Sequence, residues 1–270
     1  MAKDQPLVKK TKGAKERLLA RIAALDDLTC QILETMVDGL SARYEEQIAP
    51  DTDIAIPAFA RNFRQRLQIH HATHEEAFKK KTFEFAFKAA SIAAGKKSEI
   101  DQNVSSPGYD VIVDRTKYSL KTEAGKSTSP KFITISKLME ARWIRECQVP
   151  ADFHAGMTRL LEHFSHYERV LTLRAIRVSE PFVGIQYSLI EIPLAVLQAV
   201  KDLVPNDFRP RGAKSGGSSA KVRYQGKDAW ALRLDGSVEK VMVTRLDVSL
   251  CKVHAAWIIQ TKIVNDEGEE

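Results

Sequence analysis

The spacing of apolar residues changes near residue 108, and that change restricts the fold more than any other feature of the chain. Upstream, apolar side chains recur at three- and four-residue steps. The run AKERLLARIAALDDLTCQILETMVDGLSARYEEQI (14–48) puts Leu18, Ile22, Leu25, Leu28, Ile32 and Met36 in one helical stripe. Prolines in APDTDIAIPAF interrupt it. A second helical region runs from ARNFRQRL through THEEAFKKKTFEFAFKAASIAAG. It stops at Gly95, a residue type that commonly ends helices, and Phe78, Phe85, Ala89 and Ile92 share its apolar side. Downstream, DVIVD and YSLKTE are short β-branched or apolar runs about a polar turn. KFITISKLMEARWIREC reads as a strand leading into a helix, and ADFHAGMTRLLEHFSHY as a helix. ERVLTLRAIRVS and GIQYSLIEIP read as strands, PLAVLQAVKDLV as a short helix, and KVRYQ, AWALRLD, EKVMVTRL and KVHAAWIIQTK as hairpin-like strands. The expected class is α/β (α+β): a mixed sheet flanked by helices, with a helical N-terminal region over 1–75 ahead of the rest, 76–265.

Composition narrows the setting. A hydrophobic share of 44% over 270 residues supports a sizeable core. No run of 18 apolar residues occurs and the first residues are basic and polar, so neither a membrane span nor a leader is expected. Cys30, Cys147 and Cys251 are odd in number and far apart, as in a reducing bacterial cytoplasm. The net charge of +6 suits a polyanion partner. Basic residues load the first segment and flank RPRGAKSGGSSAK (209–221), which reads as a flexible loop.

The stretch GYDVIVDRTKYSLKTEAGK (108–126) carries charges that two apolar strands do not need. Side chains alternate along a strand, so Asp110 and Ile112 share a face, as do Ser119, Lys121 and Glu123. If the strands pair, Asp110 and Lys121 converge. A carboxylate holds Mg²⁺, and a nearby ammonium steadies the charge that develops at a scissile phosphate. An Asp–Lys pair on adjacent strands is also a common surface salt bridge, so spacing alone leaves both readings open.

The same region resembles the PD-(D/E)xK nucleases, and among them the type II restriction endonucleases. Pro107-Gly108-Tyr109-Asp110 is similar to the "PD" half and Ser119-Leu120-Lys121 to the lysine half. Phe83-Glu84 resembles a helix that adds an acidic residue, and ISKLMEARW the helix after the catalytic strands. The resemblance implies a restriction-endonuclease-like sheet and Mg²⁺-dependent hydrolysis of double-stranded DNA at a short specific sequence. It also implies a homodimer, with the N-terminal region as dimer contact or DNA clamp, and no nucleotide cofactor. Catalysis would fall to Asp110, Lys121 and Glu140, with Glu84 and Glu123 as further metal ligands beside Asp110. Ser119 replaces the usual carboxylate, so Glu140 is the first substitute and Glu123 its competitor. Lys137, Arg142, Arg145, Arg211 and Lys214 would contact DNA. Two other readings stay open: a repair or recombination nuclease on the same scaffold, and a DNA-binding protein whose motif has decayed. His70, His71 and His74 lack the glutamate of a zinc-protease motif, and His163 and His166 read as a surface pair.

Overall fold

A computed structural model describes residues 13–101, 108–125, 128–211 and 216–261. In chain order the first half contains α1 (Ala14–Ile22), α2 (Asp27–Ser41), β1 (Tyr44–Ile48), α3 (Pro57–Thr73), α4 (Lys80–Ala93), β2 (Ser98–Ile100), β3 (Val111–Val113), β4 (Thr116–Ala124) and β5 (Phe132–Glu140). Then come α5 (Pro150–Ala155), α6 (Met157–Phe164), β6 (Arg169–Val178), β7 (Gly184–Ile192) and α7 (Leu194–Gln198). The last strands are β8 (Arg209–Arg211), β9 (Gly217–Tyr224), β10 (Lys227–Asp235), β11 (Lys240–Asp247) and β12 (Lys252–Gln260). None of the described helices is long and apolar enough to cross a membrane.

The strands form two sheets, a seven-stranded one in the order β1-β12-β7-β6-β4-β3-β2 and a five-stranded one in the order β5-β11-β10-β9-β8. In the larger sheet β4 and β6 run parallel. A parallel pair needs a long crossover, supplied here by β5, α5 and α6. The larger sheet is covered on both faces. Leu120, Leu171 and Trp257 on one face meet Phe59 and Phe63 of α3 and Phe83 of α4. Val170, Ile190 and Ile192 on the other meet α6, α7 and the smaller sheet. Burial on both sides leaves every residue of β6 from Val170 to Ala175 buried. Phe63 sits 5.2 Å from Trp257, so α3 belongs to the same core as the C-terminal strand.

Several sequence expectations change here. The helical run of 14–48 gives way after Ser41, and Tyr44–Ile48 pairs antiparallel with β12. A partner more than 200 residues away in sequence overrides the local pattern. The stripe on α1 and α2 does exist, but it faces outward; Leu28 is 74% exposed. On α4 the buried side is Phe83, Ala86, Phe87 and Ala90, while Phe85 and Ile92 face out. Two overlapping stripes were available at helical spacing, and packing against α3 and the sheet selected one. ISKLMEARW is no helix. It completes β5 and enters a 3₁₀ turn, Arg142–Glu146. A bulge against β11 puts buried Ile135 and Leu138 three residues apart, which imitates a helical step. The expected loop 209–221 shrinks to a connection between β8 and β9, paired strands of the smaller sheet. Gly217 is there for close packing: an added Cβ would lie 2.2 Å from the Leu234 carbonyl oxygen.

A polar network ties the 49–53 segment to the sheet. Arg169 bonds both Asp53 and Glu191, and His254 lies 2.9 Å from Glu191 and 2.8 Å from Thr52. Burial alone would raise the Glu191 carboxyl, but its hydrogen bonds with Arg169 and His254 overcome that and hold it at about 2, below its ordinary 4.5. Its stabilisation is therefore complete above the ordinary value and lost as pH falls toward about 2. Glu191→Gln is expected to cost about 1–2 kcal/mol at neutral pH, after allowing for solvent screening. Urea unfolding should show the gap between parent and variant closing in acid. A gap that stays constant with pH would contradict the assignment.

Candidate active site

β3 and β4 form the expected hairpin. Asp114 and Arg115 at its turn have φ of 49° and 78°, as a two-residue turn matched to strand twist requires. The pairs Val111↔Tyr118 and Ile112↔Lys117 extend to set Asp110 opposite Ser119, next along the face from Lys121. The Asp110 amide donates to the Tyr118 carbonyl at 2.8 Å. The Leu120 amide in turn donates to Asp110 Oδ2 at 2.7 Å. One carboxylate oxygen is thus pinned by backbone, and the other points into a cavity of about 640 Å³ lined by Lys80, Lys121, Ser136, Lys137, Glu140 and His163.

Gly108 lets the chain reach this position. Its φ is +113°, and a Cβ there would lie 2.6 Å from His166 Cβ. Gly108→Ala is expected to cost about 2–3 kcal/mol, because backbone strain and the clash coincide. Thermal unfolding measures it, and a loss below about 0.5 kcal/mol, the range of ordinary surface changes, would contradict it.

The charges interlock. Lys80 Nζ lies 2.7 Å from Asp110 Oδ1 and 3.8 Å from Glu84 Oε1, while Lys81 holds the other Glu84 oxygen at 2.9 Å. Lys121 is 9% exposed. Burial pulls its ammonium down to about 8; Asp110 opposes that pull, and Lys80 and Lys137 add to it. Burial, then Lys121 and His166, lower the His163 imidazole to about 4, so it is neutral at physiological pH. Its Nε2 is buried and makes no hydrogen bond to the described residues. Burial and the nearby Asp110 raise the Tyr167 hydroxyl.

Of the residues expected from sequence, Asp110, Lys121 and Glu84 come together around Lys80. Glu123 is committed elsewhere. It accepts from Arg174 Nε at 2.6 Å and from the Thr134 amide at 2.9 Å. Glu140, at the end of β5, is 68% exposed and paired with Lys137. Arg145 bonds Glu239 at 2.9 Å and Arg142 lies 3.9 Å from the same carboxylate. Arg211 closes β8, and Lys214 lies outside the described residues, as does Pro107. Ser119 is fully buried, and its hydroxyl has no hydrogen-bond partner among the described residues.

Among the described residues no three His, Cys, Asp or Glu side chains group closely enough to hold a metal. Two carboxylates, Asp110 and Glu84, do share a single cation, the Lys80 ammonium. Hard anionic oxygens suit Mg²⁺, which keeps several waters; Asp110 lines the open cavity, and Glu84 adjoins it through Lys80. Lys80 and His163 were missed in the sequence. Lys80 hides in a KKK run, where its four-residue step to Glu84 was the available signal. His163 reads as surface because the elements that cover it lie far away in the chain.

Comparison with known proteins bears out the resemblance to type II restriction endonucleases. The family model for SmaI, type II site-specific deoxyribonuclease, matches residues 22–259, from the end of α1 almost to the end of β12. The type II restriction enzyme SmaI of Serratia marcescens is 33% identical over 201 residues, which cover 72% of this chain and 77% of that one. A solved restriction endonuclease in complex with substrate DNA shares 14% identity at a TM-score of 0.35, over 77% of this chain and 84% of that one, a distance at which it carries no weight. One family model spanning both sheets, α4 and the hairpin, with 33% identity to a restriction enzyme, makes this chain a member of the SmaI family of type II site-specific deoxyribonucleases.

Proposed function

We propose that this restriction endonuclease cuts double-stranded DNA by the Mg²⁺-dependent chemistry of the PD-(D/E)xK nucleases, with Asp110 and Lys121 at its centre. The observation that carries the reading is the pinned Asp110 carboxylate facing the same cavity as the buried Lys121 ammonium. Asp110 and Glu84 are the residues that would hold the ion. Glu84 is preferred to Glu140, which is exposed and paired with Lys137, and to Glu123, which Arg174 occupies. A bound Mg²⁺ supplies positive charge to the phosphorane-like transition state and the leaving 3′-oxygen. Lys121 orients the attacking water and neutralises a phosphate oxygen; its burial strengthens that interaction and keeps bulk water away. His163, neutral beside Lys121, adds no competing charge. Lys137 at the cavity rim is placed to meet a neighbouring DNA phosphate.

Cutting both strands at a two-fold symmetric site needs two such centres, and we propose a homodimer. Leu18, Leu25, Leu28, Ile32 and Val37 present an exposed apolar surface on α1 and α2, which a second copy would cover.

The test is a plasmid digest. Discrete fragments in Mg²⁺ and none in EDTA are expected. Undiminished cutting in EDTA would reject the metal, and a smear of products would favour a repair-type nuclease without a fixed site.

A further inference from the structure

Lys80 is the residue in this site that no strand motif anticipates. It stands on the first turn of α4, and its ammonium joins Asp110 at 2.7 Å to Glu84 at 3.8 Å. Those are the two carboxylates assigned above to the metal. Two anionic side chains in a partly buried pocket repel one another, and one ammonium between them relieves that repulsion. Lys81 compensates Glu84 from its other side, 2.9 Å away, so the Lys80 ammonium is the charge that a divalent ion would replace. Ammonium and divalent ion cannot both stay, because they would be like charges a few ångströms apart.

Lys80 is also built to leave. Its side chain is 49% exposed, in contrast to the buried Lys121. It lines a second cavity of about 800 Å³ that adjoins the first through Thr122 and Ser136. The other cationic side chains lining that cavity are Lys79 and Arg177. Glu76 lines it too and pairs with Lys79 at 2.7 Å, which leaves Arg177 and Lys80 as the charges that suit the next phosphate of the bound strand.

We infer that Lys80 is an exchangeable counter-ion. It holds Asp110 and Glu84 in place before metal loading, gives up that position to the divalent ion, and then moves into the adjoining cavity to contact a DNA phosphate. The inference rests on the assignment of Asp110 and Glu84 as metal-holding residues. It adds that one lysine couples metal loading to DNA grip.

The test is calorimetric titration of the full-length protein with Mn²⁺ in the absence of DNA, for the parent, Lys80→Met and Lys80→Arg. Removing the competing ammonium is expected to tighten Mn²⁺ binding about tenfold in Lys80→Met, and Lys80→Arg, which keeps the charge, should not bind more tightly than the parent. With saturating Mn²⁺, a short duplex that the enzyme does not cut should bind Lys80→Met more weakly than the parent, with a salt dependence shallower by about one counter-ion. A Lys80→Met protein that melts like the parent yet binds Mn²⁺ no more tightly overturns the inference. If the parent still cuts DNA in an Asp110-dependent way, that result sinks the counter-ion role alone. A parent that neither binds Mn²⁺ nor cuts DNA sinks this role together with the metal assignment beneath it.

Discussion

Lys121→Ala is expected to slow DNA cleavage about a hundred- to a thousandfold, the usual cost of losing one preorganised charge at a reacting centre. Asp110→Ala is expected to lose at least as much, because it removes a carboxylate that the Leu120 amide holds on the cavity side of the hairpin. Both should fold. Among the described residues Lys121 makes no ion pair, and its buried ammonium is costly to desolvate, so an alanine there relieves as much as it removes. Single-turnover cleavage of a plasmid at saturating Mg²⁺ is the measurement. Glu140→Ala is the control: an exposed carboxylate tied to Lys137 should change the rate by less than about threefold, in keeping with the small worth of surface pairs. If Lys121→Ala and Asp110→Ala cut like the parent, the hairpin is not the catalytic centre.

The largest effect on stability is expected from Arg174→Met, about 3–5 kcal/mol, because it strands a buried charge. Arg174 is 3% exposed and pairs with Glu123, its registered neighbour across the parallel β4–β6 pair. Its guanidinium also donates to the carbonyls of Ser129 and Phe132. Glu123 in turn accepts from the Thr134 amide. The pair therefore joins the larger sheet to the start of β5 in the smaller one, just beyond Lys121 on the same strand face. Without the arginine, Glu123 becomes a buried anion with one amide partner. Urea unfolding should show the loss, and adding Glu123→Gln should recover part of it by removing the stranded charge. A cost below about 1 kcal/mol would mean that water reaches this pair freely and that it is an ordinary surface bridge.

Glu123 marks how far the sequence could be read. Alternation along YSLKTE correctly set it on the face of Lys121, but a face is not a role. Its role depends on Arg174, fifty-one residues away, which only the parallel crossover brings opposite it. The helix expected around Glu140 failed for a related reason. The three-residue step from Ile135 to Leu138 imitated a helix, and a bulge against β11 produced it. Glu84 was legible as an acid between aromatics in an apolar helix, and it is buried on the side of α4 that faces the hairpin.

The sequence by itself determined the features written in neighbouring residues. These are the helices of the first third, the short hairpin with its polar turn, and the alternation that sends Asp110 and Lys121 to one face. Local spacing suffices there, because backbone periodicity and turn chemistry act over a few residues. Tertiary structure decided what depends on distant partners. It turned Tyr44–Ile48 into an edge strand of the larger sheet, chose which stripe of α4 to bury, gave Glu123 to Arg174, and set Lys80 and His163 at the cavity. Burial and charge neutralisation come from whichever segments pack together, and neither has a short-range signature in the chain.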